Sequence, residues 1–166
     1  MTVTKVTLDT NTVDDSNLIK SGRLHGFEFV AITVTDRELQ PSDIRADSEA
    51  VGTVPETVVL DESCFGQAVL GSDSDRDMFE EFLVIISNGS FPKVGQRENL
   101  TQGQRRQLRD AMILSAHIRE GRDIFVTNDI RGFISDNRRK QIEERFNTKI
   151  MTSVEFLNLC NGKSRR

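Results

Sequence analysis

Asp9, Asp110 and Asp129 are the residues whose types and settings point to chemistry. Asp9 follows the apolar run Val6-Thr7-Leu8, and Asp129 follows Ile124-Phe125-Val126-Thr127, so each reads as the end of a strand. Asp110 precedes Ile113, Leu114 and His117 by three, four and seven residues. That spacing puts it on the aliphatic face of an amphipathic helix. If the two strands are parallel, Asp9 and Asp129 end at one sheet edge, where open α/β sheets bind ligands. Carboxylates gathered there repel one another and lose hydration, and a divalent cation relieves both penalties. Mg2+ and Mn2+ are hard ions that take carboxylate oxygens plus water. Such ions lower the pKa of a bound water and stabilise charge on a phosphodiester. Glu38 is the fourth acidic candidate, with Asn11, Thr127 and Asn128 as neutral neighbours.

Each of these residues also has a plainer reading. Asp9 and Asn11 can end the strand through an Asx turn. Asp110 lies beside Arg106 and Arg109, which can neutralise it on a helix surface. Thr35-x-x-Glu38 matches a capping box, which alone explains the glutamate at about 1 kcal/mol of stabilisation. Asp61 and Glu62 are rivals for the second acid because they too end an apolar run, and Asp136 is a candidate water-mediated ligand. His25 and His117 are the only histidines, too few for a His-based relay, and both read as structural or surface residues.

Strands and helices alternate along the chain. Strands are expected over 4–8, 29–34, 57–60, 124–127 and 149–151, from their β-branched or apolar runs. Helices are expected over about 15–26, from 35 onward, and over 75–87, 102–120, 137–146 and 153–159. Asp14, Asp15 or Ser16 can cap the first of these, and Thr101 with Gln104 forms a capping box for the long one, which Gly121 stops. Residues 40–56 are polar with Pro41, Gly52 and Pro55 as breakers, and 88–100 are loop-like. The alternation predicts an α/β fold with a mostly parallel sheet covered on both faces.

One domain spanning 1–166 fits the length, with 40–100 as a divergent or inserted segment and 160–166 as a basic tail. The formal charge of −4 is uneven, near −10 over residues 1–100 and +6 over the rest. A basic C-terminal third suits phosphate contacts, although a cluster such as Arg138-Arg139-Lys140 also reads as a solvated helix surface. The acidic remainder argues against tight, non-specific DNA binding. No stretch approaches the ~20 apolar residues of a membrane span. The opening MTVTKVTLDT lacks a signal-peptide pattern, so the expected location is the cytoplasm. Cys64 and Cys160 stand far apart in no CxxC pattern, so two free thiols are expected rather than a disulfide or zinc site.

Four passages in order resemble the PIN-domain family, small metal-dependent ribonucleases that include the VapC-type toxins. LDTN at 8–11 looks like the family's opening strand and first acid, and ITVTDREL at 32–39 is similar to the passage carrying its second. RDAMILSAHIREGRDIFVTND matches the third and fourth acids, and RFNTKIMTSVEFLNL at 145–159 looks like the closing strand and helix. Residues 45–100 match nothing in the family pattern. The resemblance implies a three-layer α/β/α sandwich, PIN-like and Rossmann-like, with an acidic pocket holding Mg2+ or Mn2+ and an endoribonuclease activity on RNA. It implies that Asp9, Asp110 and Asp129 hold the metal directly or through water and that Glu38 completes the pocket. Thr127 and Asn128 would hydrogen-bond the carboxylates or the scissile phosphate. It further implies a homodimer and, for toxin members, an antitoxin partner. Two other readings compete. One is a phosphohydrolase of the haloacid-dehalogenase type, in which Asp9 is a nucleophile but Asn11 replaces the second aspartate. The other is a non-catalytic RNA- or protein-binding module on the same fold.

Overall fold

Alternation within the strands decides how the layers form, because successive side chains of a strand point to opposite faces. Val6 and Leu8 face one core with Ile124 and Val126, while Phe125 faces the other. The computed structural model describes residues 3–38, 51–59, 63, 68–135 and 137–163. Its central sheet holds β1 (Thr4–Leu8), β2 (Phe27–Ile32), β3 (Gly52–Val54), β6 (Ile124–Val126) and β7 (Lys149–Met151). The order is β3-β2-β1-β6-β7, and every pairing is parallel. Two short strands, β4 (Glu56–Thr57) and β5 (Ala68–Val69), pair separately.

Helices α1 (Ser16–Leu24) and α6 (Ser153–Lys163) cover one face, with Leu18, Ile19 and Phe156 packed on β1 and β2. The Phe156 ring meets Phe27 and Phe29 edge-on at 5.0 and 5.8 Å. The other face carries α3 (Asp73–Ser87), α4 (Gln102–Arg119) and α5 (Arg138–Phe146), which enclose Phe82, Leu83, Ala111, Ile113, Phe125 and Ile142. The short helix α2 (Thr33–Glu38) packs on α4. The fold is therefore a three-layer α/β/α sandwich of Rossmann-like type with a parallel sheet.

Several boundaries differ from the sequence expectation. The second strand begins at Phe27 and ends at Ile32, and Thr33 already opens α2. Thr35 consequently lies inside the helix and is no N-cap, so the capping-box reading of Thr35 and Glu38 does not hold. The third strand of the main sheet is Gly52–Val54, inside the segment whose polarity predicts a loop, because this edge strand needs only three residues to pair with β2. Of the run expected as a strand over 57–60, Thr57 ends β4, outside the main sheet, Val58 and Val59 lie in no strand, and Leu60 falls outside the described residues. Helix α3 starts earlier than expected, on a capping box in which Ser72 Oγ accepts from Asp75 N and Asp75 Oδ2 accepts from Ser72 N at 2.7 Å. The long helix is capped as expected: Thr101 Oγ1 accepts from Gln104 N, Gln104 Oε1 accepts from Thr101 N, and Gly121 follows its end at φ 56°. Helix α6 extends past the expected 159, to Lys163. No helix among the described residues is long and apolar enough to cross a membrane.

Candidate functional site

The strand order reverses direction between β1 and β6, and the carboxyl ends of those two strands carry Asp9 and Asp129. Such a switch point leaves a crevice at the sheet edge because the connections leave in opposite directions. Leu8 pairs with Val126, which sets Asp9 beside Thr127. Asp9 N donates to Val126 O at 3.0 Å, and the Thr12 hydroxyl donates to Asp9 O and Val126 O, so the loop after β1 is tied to the end of β6.

Asp9 is 4% exposed, and its carboxylate is a hub. Oδ2 accepts from Thr127 Oγ1 at 2.6 Å and from Asn11 Nδ2 at 2.9 Å, and Oδ1 accepts from Thr10 N at 2.8 Å. Thr127 Oγ1 in turn accepts from Asp129 N at 3.0 Å. One hydroxyl thus links the buried acid of β1 to the backbone of the acid that follows β6. Asn11 Oδ1 accepts from Asn128 N at 2.9 Å, which closes a second bridge between the same two loops.

After Asp129 the chain makes a π-helical turn, Ile130–Ile134, capped by Asp129 itself, whose Oδ1 accepts from Gly132 N at 2.8 Å. Phe133 is fully buried and meets Phe125 edge-on at 5.0 Å. Arg138, also buried, donates from Nε to Ile85 O and from Nη1 to Arg131 O. The turn is therefore pinned from below by an aromatic ring and from the side by a guanidinium. Helix α4 crosses in front of it. The Asp129 and Asp110 Oδ2 atoms lie 2.7 and 3.5 Å from where a Cβ on Gly132 would stand, so both carboxylates face one small space. That space opens into a cleft of about 400 Å³ whose walls include Arg106, Asp110, Asp129, Arg131 and Ser135. Asp9 stands behind the wall, one hydroxyl away.

Of the acids singled out by sequence, Asp110 and Asp129 come together, and Asp9 joins them through Thr127. Asn128 turns elsewhere: its side-chain amide donates to Ser153 Oγ and accepts from Ser153 N at the start of α6. Glu38 ends α2, and its side chain lies outside the described residues, as do Asp61, Glu62, Cys64 and Asp136. Cys160 is buried against β1, β2 and α1. His25 accompanies its own helix, with Nδ1 at 2.8 Å from Ser21 O. His117 is fully buried between Thr7 Oγ1 and Thr148 Oγ1, at 2.8 and 2.7 Å, which makes it structural. Burial, and then the Arg122 charge, pull its pKa down to about 3.

Three residues escape a reading of the sequence. Gly132 sits three positions after Asp129, the spacing of an N-cap and its N3 partner, and that spacing is its signal. Arg138 belongs to a basic cluster that reads as solvated, yet it is buried. Glu56 is fully buried where β2 and β3 end, with Oε2 accepting from the Thr33 hydroxyl and Glu56 N donating to it; no periodicity marks it.

Among the described residues, no group of three or more His, Cys, Asp or Glu is gathered tightly enough to hold a metal ion alone. Mg2+, however, is commonly held by one or two carboxylates and keeps several waters. Asp110 and Asp129 suit that donor set, since an Oδ2 atom of each lies within 3.5 Å of the volume a Cβ at position 132 would fill. No known family model matches the chain, and no curated protein matches it.

Proposed function

We propose that the protein is a metal-dependent endoribonuclease that hydrolyses RNA phosphodiester bonds at the cleft of Asp110 and Asp129. The observation that carries this reading is the meeting of acids from three separate elements at the switch point of a parallel sheet. Asp110 and Asp129 hold Mg2+ or Mn2+, and Asp9, its oxygens taken up by Thr10, Asn11 and Thr127, anchors the strand-end loops behind them. The bound ion supplies an activated water and offsets charge on the phosphoryl oxygens. Arg106 and Arg131 line the same cleft and offer guanidinium donors for a phosphate. Thr127 holds the Asp129 backbone in place from the buried side.

Asp129→Asn tests the reading. Its amide keeps one oxygen for the Gly132 N–H, so the fold should persist while cutting of single-stranded RNA with Mg2+ or Mn2+ is lost. Cutting by the variant at the parent rate would reject the site. A homodimer and an antitoxin partner stay attached to this proposal as expectations of the family resemblance, checked by solution mass and by co-purification.

The phosphohydrolase alternative requires Asp9 as a nucleophile. An acid 4% exposed, with both oxygens accepting from neighbours, is poorly disposed for attack. The non-catalytic alternative makes a different forecast for the same assay: RNA binding is retained, and neither metal brings about cleavage.

A further inference from the structure

Gly132 occupies the third position of the π-helical turn, and it is not among the residues with positive φ. Its backbone therefore does not require glycine. Glycine in a helical turn is less favourable than alanine, so the position carries a penalty with no conformational return. A Cβ there would stand 2.7 Å from Asp129 Oδ2, closer than real Cβ contacts, and a tight 3.1 Å from its Cγ. The turn cannot easily retreat, because Phe133 is locked in the core and Arg138 holds the Arg131 carbonyl. An added methyl would instead drive the Asp129 carboxylate off the Gly132 N–H and away from Asp110. π-Helical turns are rare and are frequent at functional sites.

We propose that Gly132 is the spacing residue of the site, its missing side chain keeping open the volume in which Asp110 and Asp129 share one hydrated divalent ion. This rests on the metal-dependent reading above and deepens it: the ion is held between α4 and the π-helical turn, and position 132 sets how closely the two carboxylates approach it. Gly132 is a positioning residue, since its own atoms contribute only the N–H that orients Asp129.

The test is calorimetric titration of the full chain with Mn2+, comparing the parent, Gly132→Ala and Gly162→Ala. Gly162 lies in α6, where a Cβ meets nothing within 4 Å, so it reports the effect of a glycine-to-alanine exchange alone. Loss of an orienting partner weakens metal sites by about 10- to 100-fold. Gly132→Ala should therefore bind Mn2+ at least about tenfold more weakly, with a metal-free melting temperature close to the parent's, while Gly162→Ala binds as the parent does. Equal affinity in parent and Gly132→Ala would overturn the spacing role and leave the metal site standing. A Gly132→Ala chain that no longer folds without metal would assign the glycine to the fold and overturn the proposal as well. No Mn2+ binding by the parent would remove both this inference and the function it rests on.

Discussion

Replacing His117 with glutamine should flatten the acid limb of the stability curve, and the size of the change follows from burial. His117 lies two turns after Asp110 on α4 and bridges Thr7 of β1 to Thr148 just before β7. The imidazole is neutral in that setting, one nitrogen donating and the other accepting. Its pKa of about 3 stands against an ordinary 6.5, chiefly through lost hydration and secondarily through the Arg122 charge. The folded value is the lower one, so the unfolded chain takes up the proton first. Stability is complete above pH ~6.5 and falls as pH drops from there toward ~3. Each pH unit inside that window removes at most ~1.4 kcal/mol, so from pH 7 to 4.5 this residue alone accounts for about 2–3 kcal/mol. The glutamine side chain would offer donor and acceptor atoms to the same two hydroxyls and carries no titrating group. The variant should be less stable than the parent at pH 7, and that deficit should shrink by about 2–3 kcal/mol by pH 4.5. Urea unfolding followed by far-ultraviolet circular dichroism suits the measurement, because the chain contains no Trp or Tyr for fluorescence. Subtracting the two curves cancels the acid dependence of the carboxylates. Parallel curves would refute the claim that a neutral imidazole fixes α4, and with it Asp110, against the sheet.

Two further substitutions probe the link between the strand ends. Thr127→Val removes the hydroxyl that donates to Asp9 Oδ2 and accepts from Asp129 N, leaving a buried carboxylate oxygen short of a donor. About 1–3 kcal/mol of stability should be lost in urea melts, with Thr127→Ser restoring most of it. Asp9→Asn should also destabilise, by a similar ~1–3 kcal/mol, because Thr10 N, Asn11 Nδ2 and the Thr127 hydroxyl then face one oxygen and one NH2. An Asp9→Asn melt indistinguishable from the parent would show that these three donors are not engaged as described.

The layer order is legible in the sequence because the apolar runs before Asp9 and Asp129 are strong, and because α4 announces both its ends, Thr101 with Gln104 at one and Gly121 at the other. The region between β2 and α3 is not. There the sheet is completed by three residues, Gly52–Val54, too few for period-two alternation to stand out among polar neighbours. The shift of β2 toward Phe27 has a similar origin: Thr33 and Val34 are β-branched, yet they enter α2, where both are buried and packing overrides propensity. At the site, strand-end acids can be read from sequence because position along a strand is one-dimensional information. The pairing of Asp110 with Asp129 cannot, since it depends on how far α4 overhangs the sheet edge. Arg138 is hidden for a related reason, because α5 is polar over most of its surface and only the fold turns this guanidinium inward.

The three aspartates differ in what their surroundings leave them to do. Asp9 accepts three hydrogen bonds from its own loop and from Thr127, and those bonds fix the two strand-end loops to each other. Asp129 commits Oδ1 to Gly132 N, and its Oδ2 shares with Asp110 Oδ2 the space in front of Gly132. An acid whose oxygens accept from neighbours gains a fixed position and gives up freedom to reorganise around an incoming ligand. Asp110 and Asp129 are instead half-buried on the wall of a cleft. Along the path Asp9, Thr127, Asp129, Asp110, the first residue is an anchor and the second relays its position, while the last two are the metal ligands only under the proposed function. On that proposal a cation offsets the repulsion between those two carboxylates.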